Sequence, residues 1–358
     1  MSGEQHHPTL HDVARAAGVS VSTTSRALGN YGRISQRTRA HIRWIADELG
    51  YRPNVIARSM ITGKTQSLGV VCADLSSPFF AEALRGVSDL AKERGYSILI
   101  VNTDEDLKAE QDAITLLRDK LVDGVIVAPA DVQCVEHLAR LQRDGRPVVL
   151  LDRTSHALEA DSVTVDDVAA VARATSHLLD AGHRRIGIVT ELRTARESNW
   201  LALLTGGVGR TALNPSSRRL LGYIQAHQQH GVEIDPDLVA RTGDTTVASA
   251  LAAAREMIES SSPTAVMSVD NTTSVGAFSA IRELGLSVPA DVSFVAFDNL
   301  DWTTLVTPPL TVVEQPVYEI GRRAATALTD RLAGERDGAG EEILLETRFV
   351  ERDSVAAV

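Results

Sequence analysis

Val21, Ser22, Ser25 and Arg26 form a small polar face, with one guanidinium a helical turn beyond Ser22. Methyl-sized and hydroxyl groups at that spacing suit thymine methyls and base edges in a DNA major groove, where an arginine fork suits guanine. Two short helices within TLHDVARAAGVSVSTTSRAL, Thr9 to Leu28, must hold this face. Leu10, Val13, Ala14 and Ala17 recur at helical spacing and predict the first, and Gly18 supplies the permissive backbone of a tight turn. Ser20 is placed to cap the second, with Thr24, Ala27 and Leu28 turned back toward the first. The pattern is a helix-turn-helix. An ordinary αα-corner with a solvated polar face has the same spacing, so the rest of the chain decides between the two.

The 358 residues carry a net charge of −11, which argues against a nucleic-acid binder until it is divided. Residues 1–64 hold nine Arg and Lys against four acids, a local +5, and the remainder is therefore −16. Neutralising phosphates needs local cations and no basic average, so a cationic head on an acidic body fits a DNA contact carried by the head alone. Within that head, Ile34, Ile42, Ile45, Ala46 and Leu49 predict a third helix closing a small core, with Trp44 packed into it. Gly50 stops that helix. VIARSM, Val55 to Met60, is then a segment too short to hold a helix alone in water, and it reads as a hinge that folds only when something packs on it.

With 44% hydrophobic and 23% charged residues, the composition is that of an ordinary soluble protein of two or three domains. Neither a membrane-spanning run nor a signal peptide is expected, which implies the cytoplasm. The two cysteines, Cys72 and Cys134, lack metal-ligand spacing and read as buried small hydrophobes. Catalytic patterns fail one by one. Lys64 in TGKT has Arg58 where a phosphate loop needs glycine, Gly206, Gly207 and Gly209 do not open a helix after a strand, and no GxSxG or HExxH occurs. No metal site and no cofactor is expected. An enzyme, or a receptor that only captures sugar, is the alternative on this α/β body.

From Ser67 the chain alternates strands and helices: LGVVCA, YSILIVN and DGVIVAPA are each followed by a helical pattern, the third of these helices starting at Cys134, and PVVLLD closes the run. The pattern pauses at Asp166 and restarts toward RRIGIVT, TAVMSV and VSFVAF. Near-continuously apolar strands between helices predict two doubly wound parallel sheets, each covered on both faces. Ligands sit beyond the carboxyl ends of such strands.

Head, hinge and repeated halves together resemble the lactose/galactose repressor (LacI/GalR) family of bacterial transcription regulators. TLHDVARAAGVSVSTTSRAL, ELGYRPNVIARSM, SSPFFAEALRGV, HLLDAGHRRIGIV, RRLLGY, VAFDN and PPLTVVEQP stand in that family's order across nearly the whole chain. The resemblance implies an N-terminal all-α helix-turn-helix head (1–52), a hinge helix and linker (53–65), and a two-lobed periplasmic-binding-protein-like core (66–358). Lobe 1 would hold about 66–166 and 316–342, and lobe 2 about 167–314 and 343–358. It further implies a homodimeric repressor on a pseudo-palindromic operator, controlled by a small-molecule effector, a sugar or sugar derivative.

Carried over residue by residue, Val21, Ser22 and Arg26 match base-reading positions, with Thr9, Ser20, Thr23, Ser25 and Asn30 beside them. Asn54, Ala57, Arg58 and Met60 match hinge contacts, Met60 departing from the usual leucine. In the core, Phe79, Phe80, Asp152, Arg153, Arg219, Asp270, Asp298 and Trp302 match effector positions. Carboxylates and an arginine fork suit adjacent sugar hydroxyls, and an aromatic face suits the ring. Plain core for the phenylalanines, and strand-end turns for Asp152 and Asp298, remain open alternatives. Two departures stand out. Glu191 to Arg218 is about twice the family's usual length and reads as a pocket lid, a surface loop or a partner contact. Asp270-Asn271 reverses the common Asn-Asp pair, and an acid there favours a ligand rich in hydrogen-bond donors.

Overall fold

A computed structural model describes residues 8–29, 32–51, 64–192 and 214–358. Asn30, the hinge residues Asn54, Ala57, Arg58 and Met60, and most of the long 191–218 segment lie outside the described residues. The chain divides into two compact units, Met1–Ser67 and Leu68–Val358.

In the first unit, α1 (Leu10–Ala16) starts in a capping box, Thr9 accepting from the Asp12 backbone while Asp12 accepts from that of Thr9. Gly18 turns the chain at φ +63°. Helix α2 (Val21–Leu28) is capped by Ser20, whose hydroxyl takes the Thr23 N–H at 3.1 Å, and α3 (Gln36–Glu48) is capped by Ser35 in the same way. Val13, Ala17, Ala27, Ile42, Ile45 and Ala46 make the core, with Leu28, Ile34 and Tyr51 packed at its edge. Trp44 is not part of it. Its side chain is 60% exposed, because the position lies on the far side of α3 from Ile42, and Leu49, the C-cap residue, is exposed as well.

The second unit is built on two six-stranded sheets. The first uses β1 (Ser67–Cys72), β2 (Ser97–Asn102), β3 (Gly124–Val127), β4 (Val148–Leu151), β5 (Asp161–Val165) and β11 (Glu342–Leu345), in the order β11-β5-β4-β3-β1-β2. The second uses β6 (Ile186–Thr190), β7 (Val239–Arg241), β8 (Ala265–Ser268), β9 (Ser293–Phe297), β10 (Thr311–Glu314) and β12 (Arg348–Val350), in the order β12-β10-β9-β8-β6-β7. Strand β12 runs antiparallel to β10, while β8 with β9, β9 with β10 and β5 with β11 run parallel. Residues of β3, β4, β6, β8 and β9 are buried throughout, as strands covered on both faces must be. The chain passes between the sheets after Val165, after Glu314 and after Leu345, so the last passage falls beyond the boundary at 342.

Helices α4 (Pro78–Glu93), α5 (Leu107–Asp119), α6 (Glu136–Arg143) and α12 (Val317–Ala333) cover the first sheet. The second carries α7 (Asp167–Asp180), α8 (Pro215–Gln229), α9 (Val247–Ser261), α10 (Asn271–Glu283) and the short α11 (Trp302–Leu305). Both lobes hold helices in backbone contact. A Cβ on Gly321 would lie 1.9 Å from the Ala83 carbonyl, and one on Gly222 2.4 Å from that of Val168. Helix α6 begins at Glu136, two residues beyond Cys134, which is exposed instead of buried, whereas Cys72 is buried in β1. Among the described residues, no helix is long and apolar enough to cross a membrane.

Candidate functional site

On α2, Ser22 and Arg26 are exposed, Val21, Thr23 and Ser25 are half-buried, and Thr24 and Ala27 face the core. Arg26 Nη2 donates to Ser22 Oγ at 2.8 Å, so the guanidinium is held against its own helix with its remaining donors outward. Thr9 and Ser20 are spent on helix starts, and Thr23 Oγ1 lies 2.8 Å from Ser20 Oγ. Arg15, Arg33, Arg37 and Arg43 are likewise exposed and add positive charge to the same small unit.

In the second unit the carboxyl ends of both sheets face one cleft of about 390 Å³. In each sheet the strand order reverses at this end, where β1 lies between β3 and β2 and β6 between β8 and β7; a doubly wound sheet opens a crevice at such a point. The turn from β1 into α4 brings Phe79 and Phe80, whose rings meet edge to face at 5.2 Å. Phe80 is buried in the lobe's core, leaving Phe79 as the more open face. Asp152 and Arg153 follow β4, Asp270 follows β8, Asp298 follows β9, and Arg219 comes from the first turns of α8.

Arg219 is the electrostatic centre. Its Nε donates to Asp167 Oδ1 at 2.7 Å, its Nη1 to the Val269 carbonyl at 2.6 Å, and its guanidinium lies 4.0 Å over the Phe297 ring. Burial works against its charge, but Asp167, Asp152 and Asp298 outweigh it and hold its pKa above the ordinary value. Arg153 donates to Glu105 and, at 2.7 Å, to the Pro129 carbonyl.

Asp152 and Asp298 sit at φ +65° and +74°, a left-handed backbone that aspartate tolerates better than most residues. Burial pushes Asp152 up to about 7 despite Arg219 and Arg153. Burial likewise raises Asp298, which accepts from Gln315 Nε2 at 2.8 Å, and Asp270. Asp270 is the N-cap of α10, its Oδ1 taking the Thr273 N–H at 2.7 Å. Trp302 stands behind the lining: its indole N–H donates to Asn271 Oδ1 at 3.0 Å, and its ring packs on Phe278.

Gln315, Glu105 and Asn271 line the same cleft, and Asp167 holds Arg219 from behind, although sequence reasoning named none of them as site residues. Gln315 had a usable signal in its place directly after β10, the position that Asp298 holds after β9. Glu191 and Asn214, near the two ends of the long segment, also line the cleft.

Two family descriptions match the chain. "Bacterial regulatory proteins, lacI family" covers residues 9–54, and "Periplasmic binding proteins and sugar binding domain of LacI family" covers 65–352. The HTH-type transcriptional repressor CytR of Escherichia coli strain K12 is 33% identical over 355 residues, 98% of this chain and 97% of the relative. Among solved structures, the transcriptional regulator CelR in complex with cellobiose is 28% identical, with a TM-score of 0.69 over 97% of this chain and 100% of the other. The Lac repressor dimer bound to operator shares the fold, with a TM-score of 0.81 at 23% identity over 98% of this chain and 100% of the other.

Proposed function

The chain belongs to the lacI family of bacterial regulatory proteins, and on that premise we propose how this transcription regulator reads DNA and what controls it. It acts in the cytoplasm as a homodimeric repressor of a pseudo-palindromic operator. Val21, Ser22 and Arg26 of α2 reach base edges in the major groove, flanked by Thr9, Ser20, Thr23, Ser25 and Asn30 at the backbone. Asn54, Ala57, Arg58 and Met60 serve the hinge in the minor groove, Met60 as an apolar wedge. The domain limits are 1–52 for the head, 53–65 for the hinge and 66–358 for the core.

The effector is a sugar or sugar derivative held in the cleft. One observation carries this: Phe79, Phe80, Asp152, Arg153, Arg219, Asp270 and Asp298, drawn from five separate stretches of sequence, converge on a single crevice between the sheets. Carboxylates and arginines there pair with adjacent hydroxyls while the Phe79 face covers the apolar side of the ring. Trp302 contributes through Asn271. Cellobiose in the related CelR supports a carbohydrate. A ligand bridging both lobes favours their closed arrangement, and the difference in its affinity for open and closed forms is the free energy available to alter operator affinity.

The test is a thermal-shift screen of mono- and disaccharides on the full chain, followed by fluorescence anisotropy on an operator selected from random duplex. A sugar that raises Tm changes operator affinity at least tenfold. A bound sugar that leaves operator affinity unchanged, or a protein that prefers no duplex over competitor, refutes the reading.

A further inference from the structure

We propose that the effector carries a cationic amino group, seated against Asp270, Asp298 and Asp152, and is therefore an amino sugar or a related polyhydroxylated amine. The proposal rests on the reading of the cleft as the effector site and narrows the chemistry of what enters it.

Charge balance is the first ground. Seven carboxylates line the cleft against two guanidiniums, and both guanidiniums are already engaged, Arg153 by Glu105 and Arg219 by Asp167. Setting those two ion pairs aside, Asp152, Asp270 and Asp298 sit deep in the crevice with no contact ion pair of their own among the described residues, sharing only the longer-range field of Arg219, which Asp152 also receives from Arg153. A neutral sugar donates hydroxyl hydrogens to such groups but brings no positive charge to offset the cost of ionising them in a desolvated site. An ammonium supplies three donors together with the opposite charge.

Hydrogen-bond polarity is the second ground, and it is independent of charge. The Oε1 of Gln315, a residue 7% exposed, is buried without a partner among the described residues, while the same amide gives its N–H to Asp298. Beside it, Asp270 commits Oδ1 to the backbone of α10, and the Asp152 side chain accepts no hydrogen bond from the described residues. The crevice thus presents a surplus of acceptors. Arg153 Nε, a buried donor left over, accounts for a hydroxyl on the same ligand. Burial raises the pKa of all three aspartates, so each is costly to ionise until a positive charge stands beside it.

The experiment is calorimetry on the full chain at pH 7.5 with matched pairs: glucose and glucosamine, galactose and galactosamine, mannose and mannosamine, and ribose with 1,4-dideoxy-1,4-imino-D-ribitol. At least one amine binds tenfold or more tighter than its neutral partner. Asp270→Asn reduces that ratio to threefold or less, and it keeps the fold because asparagine caps a helix as well as aspartate does. A neutral sugar that binds as tightly as its amine, or a preference that D270N leaves intact, overturns the proposal and leaves the sugar reading standing. Silence from every member of both classes, on wild type and D270N alike, overturns the sugar reading along with it.

Discussion

Arg219 and Asp167 meet Nε to Oδ1 at 2.7 Å, both nearly excluded from solvent, across the interface of α8 and α7. Arg218 adds a second cation 3.6 Å from Oδ2, so one carboxylate at the start of α7 steadies the opening turns of α8. Removing one partner of a buried pair leaves the other charged and unpaired. Asp167→Ala is expected to cost about 3–5 kcal/mol in denaturant unfolding. The double variant with Arg219→Ala is expected to cost less than the sum of the two single changes. Additive costs would mean that the two side chains do not depend on each other.

Asp152 predicts a pH dependence with a definite sign. Burial raises its pKa from 3.8 to about 7, so the folded state favours the protonated form. Its contribution to stability is fully present below about pH 4 and is lost as pH rises through 7. Asp152→Asn removes the ionisation and suits the left-handed backbone at φ +65°. The variant is expected to match wild type near pH 4 and to exceed it at pH 8 by as much as about 4 kcal/mol. A stability difference that does not change with pH would show that Asp152 titrates as an ordinary carboxylate.

Capping and periodicity made the head legible because both are local: Ser20 bonds within three residues, and Thr24 and Ala27 fall on the covered face by helical phase. Residue type misled at Trp44, where the helix phase decided exposure, and at Cys134, which falls before its helix begins. The apolar strands were readable, but β5 was not. Three of the five residues of DSVTV are polar, yet the strand is buried because it pairs on both edges, with β4 and with β11 from near the far end of the chain, while Arg331 neutralises Asp161. The same separation hid Asp167 and Gln315: what they hold lies 52 and 17 residues distant, and no local pattern carries that information.

Helices α4 and α12 touch through backbone. A Cβ on Gly321 would stand 1.9 Å from the Ala83 carbonyl, and one on Gly86 2.1 Å from that of Tyr318. Neither obstacle is a side chain that can swing away, so the helices must part. Gly321→Ala is expected to destabilise the core by about 1–3 kcal/mol or more, and Gly222→Ala, its counterpart where α8 meets α7, by a similar amount. Chemical denaturation measures both, and a denaturant midpoint unchanged from wild type would place these helices farther apart.

Arg26 separates base reading from charge. Its side chain lies along α2, with Nη2 on Ser22 Oγ at 2.8 Å, and its other donors remain open for a guanine edge. Arg26→Ala is expected to weaken specific operator binding by about 1–3 kcal/mol and to relax sequence preference at one position of each half-site. Binding to unrelated duplex falls only slightly, because Arg15, Arg33, Arg37 and Arg43 remain to neutralise phosphates. Anisotropy titrations on operator and on scrambled duplex, each at two salt concentrations, measure the two effects together. If both duplexes lose affinity equally and the salt slope drops by about one, Arg26 is a phosphate contact and the base-reading assignment passes to Val21 and Ser22.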